Sequence, residues 1–444
     1  MIQIFDRWLL LAIYVSAGPF LVFAHGLFGA GSGFTGLFLV ATTLGLLLVG
    51  QWSDSRPNAC DTLFAAFVAC VGVSFLKNGI GNPKEFALLL ITLAAYPVGR
   101  TFAGHHLTVS FVAVTSIVVA MGVVATGIAL SEQWNDSRGK PYVFGEFAAA
   151  PAQFTISLSI LVIGMLCMRT SGRRAGAGAV LLLIASAVFA ASVVRFAFVA
   201  FAIALAVAAM VARPRERLLA VLALGVMVTG VALGNIARSD TTIKFARYAV
   251  VVVADMVSSS VATPSATYPT SVVPESTGSV AVVLAASSQP VGADQGSAPA
   301  TCGTVESDNS IAIRRQLYSE AAGLLPAAGL FGIGLSRFME RSCFPDAEIH
   351  NSLLQAFVEV GWIGGAVLAL LALLAIASLV PIASTDDEAR FALCGMVFVL
   401  AMAMAHGSIC RDVLLFAFLG YAANVLSRKK IPSRFLPSKL RVSA

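Results

Sequence analysis

The chain has 444 residues, of which 58% are hydrophobic and 12% charged, with a mean hydropathy of +0.87. A soluble domain carries roughly 25% charged residues, so a globule of this length cannot cover so much apolar surface, and the bilayer is the solvent that fits. The net charge of +6 does not mark a nucleic-acid face, because the basic residues sit in short turns between apolar runs and in the C-terminal tail.

Taken in order, apolar runs predict helical spans near residues 8–27, 33–50, 60–76, 86–100, 107–130, 153–169, 177–194, 196–212, 217–236, 358–382, 389–407 and 411–426. This is an all-α, polytopic transmembrane helical bundle of about twelve spans. Nine spans occupy residues 1–236, three occupy 358–427, and 428–444 form a basic tail. The first run is read as an uncleaved span rather than a signal peptide, since many similar runs follow it. The seventh and eighth runs are kept apart by a tight turn at Arg195. Arg56, Arg100, Arg173, Arg174, Arg213, Arg215, Arg217 and the tail all fall on one side of a twelve-span arrangement. That side is expected to be cytoplasmic, with both termini inside and the loops 131–152 and 237–357 outside.

The long loop 237–357 has two parts. Residues 255–308 are rich in Ser, Thr, Ala, Val, Pro and Gly and read as a low-complexity insertion. Residues 309–357 interleave charged and apolar residues and read as a folded cap before the tenth span. Cys302 and Cys343 both lie in this loop. An extracytoplasmic position permits a disulfide between them, and two free thiols are the other reading. Cys60, Cys70, Cys167 and Cys394 lie in apolar runs and read as packing residues.

Candidate chemistry gathers on the outer side. His350 opens the run EIHNSLLQAFVEVGWIGG, which puts an imidazole at the first turn of a helix near the membrane surface. It is either a base working near neutral pH or a capping histidine. Glu359, nine residues on, falls about 180° around a continuous helix from His350 and reads as a structural contact rather than its partner. Arg195 is either an anion ligand facing a cavity or an arginine snorkelling to the interface. Arg314 and Arg315 precede an amphipathic stretch, and Arg337 and Arg341 would share one face if their segment is helical. Arginines clustered outside the membrane suit a phosphate or pyrophosphate, with headgroup binding or loop salt bridges as the alternative. His406 and Arg411, at the outer edge of the last two spans, are additional candidates for the same site. No Cys or His spacing points to a metal, and no phosphate-binding loop is present.

The stretch from Arg314 to Gly365 resembles the signature region of the O-antigen ligase and O-antigen polymerase superfamily. The carrying residues are Arg314 with Tyr318 four residues on, the segment LFGIGLSRF, the pair His350–Asn351, and Glu359, Gly361 and Gly364. The chain departs from the pattern in the displaced Pro326 and in the length of the insertion. Arg195 is similar to the family's membrane-edge arginine. The resemblance implies a C-type glycosyltransferase fold in the bacterial inner membrane. It implies a donor glycan on undecaprenyl pyrophosphate and an acceptor hydroxyl on lipid A–core or a growing polysaccharide. His350 would serve as general base, Arg195 and Arg314, with Arg315, would hold the pyrophosphate, and Asn351, Glu359 and Gly361 would be structural. Membrane lipids are the other implied partners; no cofactor, ATP or nucleic acid is expected. A ligase and a repeat-unit polymerase share these motifs. A transporter is the rival from another class, but the longest loop follows the ninth span and few acids lie deep in the spans.

Overall fold

The computed structural model describes residues 12–49, 56–101, 109–134, 140–167, 172–244, 247, 310–344 and 347–428. The insertion 255–308, with Cys302, and the tail beyond Arg428 lie outside the described residues.

The described chain is built of helices, joined by turns and one isolated bridge between Val143 and Phe147. In order they are α1 (Ala17–Phe28), α2 (Ser32–Val49), α3 (Ala59–Asn78), α4 (Pro83–Thr101), α5 (Val109–Glu132), α6 (Ala150–Cys167), α7 (Gly172–Ala191), α8 (Phe196–Val211) and α9 (Pro214–Ala237). After the insertion come α10 (Ser310–Ala328), the short α11 (Ser352–Gln355) running into a π turn at Ala356–Val360, α12 (Trp362–Ala383), α13 (Asp387–His406) and α14 (Val413–Arg428). Among the described residues, six helices are long and apolar enough to cross a membrane: α3, α5, α6, α9, α12 and α13. Five shorter apolar helices accompany them. The protein is therefore an all-α, multi-pass membrane protein. Helix α6 is largely buried inside the bundle, whereas α3 and α9 turn most of their surface outward, as lipid-facing helices do.

In hydrocarbon there is little hydrophobic gain from bringing helices together, so close packing at small residues takes over. Gly99 of α4 and Gly420 of α14 interlock: a Cβ at the first would collide with the Ala417 carbonyl, and at the second with the Tyr96 carbonyl. Gly230 and Gly234 of α9 do the same against Leu183 and Ala187 of α7.

Charges separate to the two ends of the bundle. At one end three arginines meet carboxylates. Arg100 Nε lies 3.0 Å from Asp61, Arg390 Nη1 lies 2.5 Å from Glu216, and Arg428 Nη2 lies 2.5 Å from Glu388. The same end is tied by Asn58 Nδ2 donating to the Ala423 carbonyl at 2.7 Å.

At the other end sits the cap, with a small core of its own. Helix α10 buries Leu317, Ala321 and Ala328, at helical spacing, against Ile333, Phe338, Ile349 and Val358. The segment after α10 differs from a helix-sharing face for Arg337 and Arg341. Residues 329–344 run as successive turns, because Gly329, Gly332, Gly334 and Ser336 all take positive φ. Arg337 pairs instead with Glu340 at 3.0 Å. This turn segment lies along the π turn: Ile333 N–H donates to the Val358 carbonyl at 3.0 Å and Gly334 N–H to the Glu359 carbonyl at 3.1 Å. The contact leaves no room for a Cβ at Gly332 or Gly361, both of positive φ. Cys343 is disulfide-bonded, and the other described cysteines are free.

Glycine packing makes a direct prediction. Gly420→Ala should destabilise the bundle by about 1–3 kcal/mol or more, since backbone must shift to admit the methyl. Gly127→Ala, where a Cβ meets nothing within 4 Å, should be neutral or stabilising. Thermal unfolding of the purified chain in detergent compares the two, and equal melting temperatures would contradict the packing.

Candidate active site

Three elements converge beneath the cap. Arg314, from the first turns of α10, extends its guanidinium over the ring of Phe196, which opens α8, at 4.8 Å to the centroid. Its Nη2 donates to Nδ1 of His406, the last residue of α13, at 3.0 Å. Phe196 and His406 meet edge to face at 5.2 Å and 78°. One helical turn beyond Arg314, Tyr318 lies on the same face of α10 and donates its hydroxyl to the His350 carbonyl at 3.3 Å. The four-residue interval between arginine and tyrosine thus joins two jobs on one face: one side chain enters the cluster, the other fixes the backbone of His350.

His350 itself has φ +55, an unusual conformation for a residue with a Cβ. Asn351 follows in extended backbone and caps α11, its Oδ1 accepting the Leu354 N–H at 3.0 Å. The cap and the left-handed residue before it aim the chain sharply into α11. Among the described residues the imidazole nitrogens of His350 take no hydrogen bond. Partial burial, with Arg314 and Arg411 nearby, holds the imidazole below its ordinary value. It is therefore neutral, and able to accept a proton, at neutral pH.

The cationic surround is wider than the arginines. Lys140, on the turn before α6, feels Arg314 and Arg195, and its ammonium is lowered by burial first and by those two charges next. Gln133 fixes that turn through both ends of its amide. Its Nε2 donates to the Tyr142 carbonyl at 3.0 Å, and its Oε1 accepts the Tyr142 N–H at 2.8 Å. Arg195 stands immediately before α8, where the chain breaks after α7 with Val193 at φ +66. A β-branched residue in that conformation stores strain, and it does so beside the cationic cluster. Burial lowers both Arg195 and Arg314 from the ordinary arginine value; both remain charged.

The other sequence candidates are placed differently. Arg411 lies near His350 but is held by two carboxylates, Glu85 at 2.5 Å and Glu348 at 3.0 Å. Arg315 is turned about 100° around α10 from Arg314. Arg337 sits against Gly81, in the turn between α3 and α4, and Arg341 is exposed on the cap. Glu359 is buried in the π turn rather than on a continuous helix. Its carboxylate accepts from Gln355 Nε2 at 2.9 Å, and Gln355 Oε1 accepts the Ile409 N–H at 2.9 Å. It knits the entry of α12 to the turn before α14. Ser352, next to the His350–Asn351 pair, donates its hydroxyl to Asp412 of that same turn.

Lys140, Phe196 and Glu85 escaped the sequence reading. Each is ordinary in its own stretch, and only the helix packing brings it to this end. The described residues contain no cluster of three or more His, Cys, Asp or Glu suited to a metal ion. No protein-family model and no curated protein matches this chain.

Removing a cation must favour the imidazolium, so Arg411→Gln, which also unmasks Glu85 and Glu348, should move the His350 titration upward. In the wild type its midpoint should lie below the ordinary 6.5. Imidazole NMR of the full chain across pH measures both, and an unmoved midpoint in the variant would remove Arg411 from the electrostatics of the site.

Proposed function

We propose that the protein is a glycosyltransferase of the bacterial inner membrane that moves a glycan from undecaprenyl pyrophosphate to an acceptor hydroxyl at the periplasmic face. In this reading the chain crosses the membrane about twelve times. The carboxylate-paired end faces the cytoplasm, with both termini, and the cap with the cationic cluster faces the periplasm. The Lys and Arg distribution between loops supports that orientation.

The observation that carries the proposal is the set of partners of Arg314. A phenylalanine ring and an imidazole nitrogen hold its guanidinium, and both are neutral. Its charge is thus oriented without being cancelled by a carboxylate, as a site for an anion requires. Arg195 and Lys140 add positive charge around it, and His350 offers an unprotonated nitrogen beside it.

The chemistry follows from these parts. His350 accepts the proton of the acceptor hydroxyl as its oxygen attacks the anomeric carbon of the donor. The bond from that carbon to the pyrophosphate oxygen breaks, and the electron pair leaves with the pyrophosphate. Arg314, Arg195 and Lys140 stabilise the charge that develops there; a fixed cation in a partly dry site needs little rearrangement to do so. Lipid A–core as acceptor makes the enzyme a ligase, and a growing chain makes it a polymerase of O-antigen or exopolysaccharide; the ligase is the first reading.

His350→Ala should lower glycan transfer by about 10²–10⁴-fold while the protein still inserts and purifies normally; undiminished transfer would take His350 out of the mechanism. A cysteine placed at residue 280 should react with impermeant thiol reagents from the periplasm, and labelling from the cytoplasm alone would overturn the topology. In a knockout, free lipid A–core with accumulated polymer points to a ligase, whereas loss of chain length points to a polymerase.

A further inference from the structure

His406 is drawn into the site by a bond that dictates its chemical form. An arginine side chain has donors and no acceptor. With Arg314 Nη2 at 3.0 Å from His406 Nδ1, that nitrogen must offer its lone pair, and the proton of the neutral ring must sit on Nε2. An imidazolium in the same place would set two N–H groups against each other and bring two positive charges together. The groups around His406 favour the neutral ring. Arg314 comes from α10, Lys140 from the turn before α6, His350 from the turn before α11, and Phe196 from α8; none is a carboxylate that would stabilise a second charge. The edge contact with Phe196 fixes the ring plane, and the same phenylalanine supports the guanidinium from below.

We propose that His406 is the positioning residue of the anion site: its Nδ1 holds the Arg314 guanidinium over Phe196, where the charge faces the pyrophosphate. The ligand half of this inference rests on the glycosyltransferase reading; the His406–Arg314 contact does not. The device has a physical logic. A carboxylate in place of His406 would hold Arg314 more tightly but would cancel its charge and repel the ligand. An aliphatic residue would leave the guanidinium to rotate into solvent. A neutral imidazole orients without neutralising.

The two ring nitrogens can be separated by substitution. Asparagine places its Oδ1 near the position of Nδ1 and keeps an acceptor for Arg314, whereas glutamine reaches the position of Nε2, and alanine removes both. The full chain is reconstituted in nanodiscs, and its affinity for undecaprenyl pyrophosphate is measured against phosphatidylglycerol as the competing lipid. His406→Ala and His406→Gln should weaken binding about tenfold, and His406→Asn should recover most of that loss, as expected for one oriented charge-assisted hydrogen bond. In an Arg314→Gln background, His406→Ala should have little further effect, because the two residues act as a unit. Independently of any ligand, nitrogen NMR of the histidines should show Nδ1 of His406 unprotonated in the wild type, and Arg314→Gln should perturb that signal.

Asparagine behaving as alanine, or additive losses in the double variant, would overturn the positioning role. A protonated Nδ1 would overturn the contact itself. A wild-type protein that does not prefer undecaprenyl pyrophosphate over phosphatidylglycerol would remove the glycosyltransferase reading and the ligand half of the inference with it, while the NMR spectrum still decides whether His406 sets Arg314.

Discussion

The cap end of this bundle is organised by an arginine whose partners carry no charge. Arg314 leans on Phe196 and donates to His406. Elsewhere the arginines with described ion pairs follow the ordinary rule that a charge near hydrocarbon is matched by its opposite: Arg100 with Asp61, Arg390 with Glu216, Arg428 with Glu388, and Arg411 with Glu85 and Glu348. Each of those pairs closes an electrostatic account within the fold and contributes to holding helices together. Arg314 leaves its account open. Such a residue is poorly explained as structure, because a cation over a ring contributes only about 0.5–2 kcal/mol, while an anion arriving at it would meet an undiminished charge.

The cap that carries Arg314 is fastened to the bundle at close range. The turn segment 329–334 and the residues 358–362 lie against each other through main-chain hydrogen bonds, and Gly332 and Gly361 are the places where the two backbones come closest. Trp362 adds a second clasp, its N–H to the Gly329 carbonyl at 2.9 Å and its indole Nε1–H to the Leu325 carbonyl at 2.8 Å. The cap is thus fastened to the first residues of α12 by backbone hydrogen bonds and by the Trp362 indole. The backbone of His350 is set by the Tyr318 hydroxyl on its carbonyl and by the Asn351 cap that follows it.

Part of the local design was legible in the sequence. Arg314 with Tyr318, the His350–Asn351 pair and the glycines at 332, 334 and 361 stand out there through the family resemblance, while the work they do, the hydroxyl on the His350 carbonyl, the Asn351 cap and the positive φ, belongs to the structure. Apolar runs located the helices, since hydropathy is a local property, and Arg195 marked the break between α7 and α8. Two features were not legible for local reasons. Residues 331–344 have helix-compatible spacing of charges, yet positive φ at Gly332, Gly334 and Ser336 winds them into turns. The π turn at Ala356–Val360 shifts the phase of the helix, so the angle between His350 and Glu359 cannot be counted in ordinary turns. The remaining omissions are non-local. Nothing in the sequence around Lys140 or Phe196 tells which distant helix end each will meet.

The strained backbone at the site fits the same economy of parts. A non-glycine residue in the left-handed region costs on the order of 1–3 kcal/mol, and both Val193 and His350 adopt it. Neither conformation is needed to cross a membrane; a glycine would make either turn more cheaply. At His350 the cost is offset by the Asn351 cap, worth about 1 kcal/mol, and by the Tyr318 hydrogen bond to its carbonyl, and what remains is an imidazole with both nitrogens open beside Arg314. At Val193 the sharp turn delivers Arg195 and Phe196 together to the head of α8, the first to the cationic surround and the second to the underside of Arg314. Both strained residues thus lead into the surround of Arg314, and the fold bears that strain where an uncancelled charge and an unprotonated base influence each other.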